Sequence, residues 1–251
     1  MIETIEAHNG GFRFIPGVSQ YSAGVGALSG FTIERVRFLH PVPLCQGFDR
    51  IAQILKEAGR PLSAFCACEL RSPAPFTESG FKSFNEEYTS ILNGWGLISD
   101  GVNPVSRSNV CPQIDPPSAP SVHAFSYTVV APSAPRSFVI AGSGEAPEGK
   151  PDYRNHAIRL GDISPAALLE KAKWVLGEME RRMGAFAGDW SGVTAVQLYT
   201  VHDIFPFMET ELGKRGVLQQ GLTWHLNRPP VIDLEYEMDC RCVHFERVVT
   251  R

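Results

Sequence analysis

Residues 44–71, LCQGFDRIAQILKEAGRPLSAFCACELR, change periodicity once, and that change decides the fold class. Leu44, Phe48, Ile51, Ala52, Leu55 and Ala58 recur at helical spacing, and Gly59 with Pro61 supplies the stop. From Ala64 to Leu70 the pattern becomes a short apolar run rich in Phe, Ala and Cys, closed by Pro73 and Pro75; it reads as a strand. Outward from there, Phe81, Phe84, Tyr88, Ile91, Leu92 and Trp95 return to the helical period behind Thr77 as N-cap, with Gly94 and Gly96 as exit. Residues 107–112 are extended, 116–121 form a Pro/Ser loop, and 122–130 read as a long strand.

Ala131 to Pro135 reads as a linker, and the residues beyond it repeat the first half. A strand at 137–141 precedes Ser164-Pro165, which opens a helix burying Leu168, Leu169, Ala172, Val175, Leu176, Met179 and Met183. A strand at 193–201, a short helix at 203–212 and a final strand at 231–242 complete it. The order β-α-β-α-β twice predicts an α+β chain of two units, 1–130 and 136–251, with helices on one face of a mixed sheet. The other, apolar face needs a cover, either the sister unit or another chain.

The 251 residues carry 23 basic and 27 acidic side chains, a formal charge of -4, with 43% hydrophobic and 20% charged residues. That composition excludes disordered and collagen-like classes and offers no basic excess for nucleic acid or an anionic membrane. The expected partner is a small molecule or another copy. The first ten residues lack a secretory or transit pattern, no apolar run reaches the length of a membrane span, and six dispersed cysteines read as free thiols in a reducing cytoplasm. Cys66-x-Cys68 and Cys240-x-Cys242 place each pair on one strand face without the two-residue knuckle of zinc sites, so they read as buried small hydrophobes and no metal is expected. Asp233, Glu235, Glu237 and Asp239 alternate, and read as a solvated sheet face. No Ser-His-Asp order, phosphate-cradling loop or dinucleotide fingerprint is present.

Four pieces of the first half, in order, resemble the Rid/YjgF group of reactive-intermediate deaminases, which includes 2-aminomuconate deaminases. They are Gln20-Tyr21-Ser22, the helix end Glu57-Ala58-Gly59, Phe84-Asn85-Glu86-Glu87-Tyr88, and Pro104-Val105-Ser106-Arg107 followed by Pro116. In the second half Ile232-Asp233-Leu234-Glu235 resembles the family's closing strand, but no arginine stands at 217–221, where the motif would place it. The resemblance implies two fused YjgF-like, chorismate-mutase-like domains, the second without its own arginine-centred site. It also implies a trimer with pockets between subunits or domains, and a cofactor-free hydrolysis of an enamine or imine to a carbonyl and ammonia.

Arg107 is the first candidate, because a guanidinium fork suits a carboxylate; the resemblance implies that it anchors an imino or enamino acid, against the plain alternative of a surface salt bridge. Arg35 and Arg37 share one strand face, as do Glu69 and Arg71 in a strand that otherwise reads as buried. Charges there are paired or used. If used, the arginines hold a second carboxylate and Glu69 shuttles a proton; if paired, Glu69 meets Arg35 or Arg37 in an internal ion pair. His123 stands near the family's usual glutamate and is either a proton relay or a hydrogen-bonded strand histidine. Tyr21 and Asn85 match pocket-lining positions, or are a core tyrosine and a helix-surface amide. Several arginines near one motif favour a dicarboxylate such as a 2-aminomuconate. A protein that only binds such a metabolite is the second reading.

Overall fold

The structure is a computed structural model that describes residues 2–150 and 152–250. The first half runs β1 (Ile5–Ala7), β2 (Phe12–Ile15), β3 (Gly24–Ala27), β4 (Phe31–Pro43), α1 (Leu44–Glu57), β5 (Phe65–Arg71), α2 (Glu78–Gly94), β6 (Ser106–Pro112) and β7 (Ser121–Val130). The second runs β8 (Phe138–Gly144), α3 (Pro165–Ala185), β9 (Ala195–Tyr199), α4 (Phe205–Phe207, continued by a π-helical turn at Met208–Gly213), β10 (Thr223–His225), β11 (Asn227–Arg228), β12 (Glu237–Cys242) and β13 (Phe245–Val249).

The helices start and stop where local chemistry satisfies their free backbone groups. Thr77 and Ser164 accept from Gly80 N and Ala167 N to cap α2 and α3, with Pro165 in the first turn of α3. At the end of α1, Gly59 takes a positive φ so that its N–H reaches Lys56 O and that of Arg60 reaches Leu55 O.

The chain is a mixed α+β structure of two mixed sheets, β1-β2-β3-β8-β12-β9-β10 and β11-β6-β5-β7-β4-β13. α1 and α2 bury Phe48, Ile51, Leu55, Phe84, Tyr88 and Leu92 on one face of the six-stranded sheet; α3 buries Val175, Leu176 and Met179 on one face of the seven-stranded sheet. The two remaining faces meet, with Phe12, Phe14 and Val25 against Ile33, Cys66 and Ala67. Each sheet is thus the cover that the other requires.

The sheets do not part at the linker. β1 to β3 pair into the second-half sheet through Gly24–Gly26 on β8, and β13 pairs in parallel with β4 from Glu34 to Phe38. Glycine is required at Gly26, where a Cβ would meet the Phe186 ring at the end of α3.

Three sequence expectations are corrected by this packing. The final strand begins at Glu237 rather than Val231, because residues 231–234 turn, with Leu234 N–H bonded to Val231 O and Asp233 at positive φ. Glu237 and Asp239 are buried, since their strand face lies between the sheets and not in solvent. All six cysteines are free, but Cys66 and Cys68 do not share a face. A bulge against β7 between Phe65 and Ala67 turns Cys66 to the inter-sheet layer and leaves Cys68 under α2, beside the Tyr88 hydroxyl.

Candidate active site

Strand β6 carries Arg107 into the layer beneath α2, where it is 3% exposed. Its guanidinium carbon lies 4.8 Å from the Tyr88 ring centre, 4.9 Å from that of Tyr21, and 5.6 Å from those of Phe81 and Phe84. Nη1 donates to Asn85 Oδ1 at 2.8 Å. Aromatic faces stabilise a cation without neutralising it. Among the described residues no carboxylate pairs with this arginine, so a buried cation is held in place by an amide and four rings with its charge uncompensated. The expected trio of Arg107, Tyr21 and Asn85 is therefore assembled, with Asn85 as the group that orients the guanidinium.

Arg107 faces a cavity at the seam between β6 and β8, walled also by Gly142–Gly144, Glu148, Tyr153 and Glu237. The cavity shares Tyr21, Phe81, Glu148 and Tyr153 with a surface groove of about 720 Å³ that also includes Lys82 and Asn85. Glu237 enters from β12, is 4% exposed and makes no side-chain hydrogen bond among the described residues. Burial, reinforced by the nearby Asp239 and Glu145, pushes its carboxyl well above the usual carboxylate range, and Arg107 and Arg71 only partly oppose this. A side chain at position 142 would collide with Glu237 Oε1, so Gly142 makes the room in which this acid sits. Beside it, Asn109 accepts from Ser72 Oγ at 2.9 Å while its Nδ2 is buried without a partner. A carboxyl whose pKa is raised by burial, an unused amide donor and an uncompensated guanidinium thus line one space.

The other expected residues sit elsewhere. Arg35 Nε and Nη2 donate to Glu69 Oε1 and Oε2 at 2.6 and 2.8 Å, a bidentate pair that Gln197 Nε2 joins at 3.2 Å. Burial alone would raise the Glu69 carboxyl, but Arg35 overrides it and holds the group well below its ordinary value. Gln197 continues to Asp239, which also accepts from Ser108 Oγ and Tyr199 OH. Arg71 lies over the Tyr199 ring at 5.4 Å and donates to Leu70 O, its Nη2 unpartnered. Burial and Arg71 lower the pKa of His123 to about 2, and the same two influences bring His225 to about 4, so both rings are neutral at physiological pH. Arg37 is half-buried on β4 and makes no side-chain hydrogen bond among the described residues. Glu69 and Arg35 form part of an inter-sheet network, His123 makes no side-chain hydrogen bond among the described residues, and none of the three lines the Arg107 cavity.

The family model for the 2-aminomuconate deaminase CnbZ matches residues 4–247. The chain belongs to that family. A 2-amino-5-chloromuconate deaminase of Comamonas testosteroni is 49% identical over 234 residues, covering 92% of this chain and 93% of the relative. Among solved structures, a crystal structure of chorismatase aligns with a TM-score of 0.49 at 10% identity, over 91% of this chain and 79% of that one.

Two wall residues of this deaminase chain were hidden in the sequence. Glu237 looks like one member of an acidic alternation, and only the stacking of the two sheets turns it inward. Glu148 stands in a Gly- and Pro-rich loop that carries no periodic signal. Gly142-x-Gly144 was the available clue, since a glycine inside a strand often marks close approach by another group.

Proposed function

We propose that the chain hydrolyses a 2-aminomuconate-type dicarboxylate to the 2-oxo acid and ammonia, and that Arg107 and Glu237 carry the reaction. The supporting observation is the juxtaposition of an uncompensated, pre-oriented guanidinium with a buried, unbonded carboxyl whose pKa burial raises, in the same cavity. Arg107 takes the carboxylate beside the amino-bearing carbon and fixes that carbon in the cavity. Glu237 donates its proton to the conjugated carbon chain, converting the enamine to its iminium and leaving Glu237 as a carboxylate. Water then adds to the C=N carbon, Glu237 as carboxylate accepts a proton from it, and the carbinolamine expels ammonia to leave the carbonyl. One water enters and one ammonia leaves, with no change of oxidation state and no cofactor invoked. We further read the two sheets as two fused copies of one YjgF-like plan, spanning 1–130 and 136–251, that lend each other their terminal strands.

The test is ammonia release from freshly generated 2-aminomuconate, with ¹⁸O-labelled water to follow oxygen into the product. Stoichiometric ammonia and one labelled oxygen per turnover support hydrolysis. If no ammonia appears while the same compound raises the melting temperature, the protein is a binder of such metabolites and the catalytic reading falls.

A further inference from the structure

A second arginine lies behind the Ser143 and Glu148 wall of the cavity, and its environment is poorly matched to it. Arg182 projects from the buried face of α3 and is 1% exposed. Its hydrogen bonds are long, Nη1 to Ala141 O at 3.4 Å and Nη2 to Ser143 Oγ at 3.3 Å, while Nε stands 3.5 Å from a Glu178 oxygen and has no hydrogen-bond partner. The facing anion is Glu148, whose Oε1 sits 3.1 Å from Nη2 yet is itself buried without a well-formed hydrogen bond. A structural ion pair at this depth normally shows the close bidentate geometry that Arg35 and Glu69 have; this one does not. Both residues that touch Arg182 from the cavity side, Ser143 and Glu148, are walls of the space that Arg107 faces. Tyr21, whose ring centre is 4.9 Å from the Arg107 guanidinium carbon, walls the same space as Ser143 and Glu148.

We propose that Arg182 is the receptor for the distal carboxylate of the substrate, and that Glu148 occupies that receptor until the substrate displaces it. The proposal rests on the dicarboxylate reading of the Arg107 cavity. It assigns the two ends of the substrate to arginines arriving from the two helix layers, Arg107 from beneath α2 and Arg182 from α3. Glu148 then acts as a selectivity filter: a ligand with one carboxylate leaves it in place, whereas a ligand with two exchanges a poorly bonded internal carboxylate for its own, free to adopt the fork geometry.

The probes are cis,cis-muconate and sorbate, unreactive six-carbon dienes with two carboxylates and one, titrated calorimetrically into the full chain. Arg182→Met is expected to weaken muconate by about 10-fold or more, the scale of one lost charge-assisted contact, and to leave sorbate unchanged. Glu148→Gln is expected to tighten muconate several-fold without affecting sorbate. If Arg182→Met does not fold, Arg182→Lys carries the same comparison, and Glu148→Gln is read independently. Equal losses for both probes, no tightening in Glu148→Gln, or no muconate binding by the unaltered chain overturns the proposal. The muconate pattern without ammonia release sinks the deaminase reading alone, and ammonia release without the pattern sinks this assignment alone.

Discussion

The inter-sheet network and the Arg107 cavity contain the same residue types at similar depth, yet they are wired in opposite ways. Arg35 is matched to Glu69 by two short bonds, and Gln197, Ser108 and Tyr199 tie Asp239 into the same array. Arg107 has one amide and four rings, and Glu237 faces it as an unbonded acid. Burying charge is costly wherever it happens. The first region offsets that cost through the Arg35–Glu69 pair, although Arg71 beside it keeps an unpartnered Nη2. The second leaves Arg107 without a carboxylate partner among the described residues. Depth and charge together therefore do not mark a site; incomplete pairing does.

The largest effect that could break this contrast is at Arg107. Arg107→Ala removes the carboxylate anchor and leaves no buried anion stranded, so turnover with 2-aminomuconate should fall on the order of 10²-fold or more while the thermal midpoint moves little. Steady-state ammonia release and a melting curve on one preparation check both halves. Arg35→Ala should do the reverse. It strands Glu69 as an uncompensated buried carboxylate and should cost about 3 to 5 kcal/mol in denaturant unfolding, with turnover per folded molecule retained. A loss of kcat in the folded fraction of Arg35→Ala would erase the distinction between the two regions.

The pH dependence of stability sharpens the comparison further, because the two acids shift in opposite directions. Glu69 is depressed in the folded state, so its contribution is present above the unfolded carboxylate value and is lost as pH falls. Glu237 is raised, so its contribution is complete below the unfolded value and is lost as pH climbs towards the folded one, by up to about 1.4 kcal/mol per pH unit. Glu237→Gln should therefore flatten the decline of stability between mildly acidic and neutral pH. Unfolding free energies measured across that range decide it; an unchanged slope would mean that Glu237 is not held neutral. The smallest expected effect is at His123, which is neutral at any working pH. His123→Gln should leave kcat within a few-fold of the parent and remove no limb from the pH–rate profile.

Much of the fold was legible because its signals are local. The helical periods at 44–58, 81–95 and 165–183, their caps at Thr77 and Ser164, and the strand at 65–71 all come from neighbours in sequence. The strands β1 to β3 and β13 were not legible. They are three to five residues long; β1 and β2 pair with close neighbours, while β3 also joins β8 and β13 joins β4, each more than a hundred residues away. The site divides in the same way. Arg107, Tyr21 and Asn85 came from motif positions, and the structure gathers them. Glu69 satisfied the rule that a charge in an apolar strand is paired or used, and the geometry selects the pair. Glu237 escaped notice because alternation names a face without saying what covers it, and here a second sheet does.

The central claim is that the unpaired acid works and the paired acid holds the fold, and exchanging each for its amide tests it most directly. Single-turnover and steady-state ammonia release from 2-aminomuconate would be compared for Glu237→Gln and Glu69→Gln, normalised to folded protein. Glu237→Gln should lower kcat by roughly 10²- to 10⁴-fold, the range for a lost general acid–base group, with KM little changed. Glu69→Gln should lower stability and leave kcat near that of the parent. Full turnover in Glu237→Gln together with a collapse of kcat in folded Glu69→Gln would contradict the account and return the proton shuttle to the inter-sheet network.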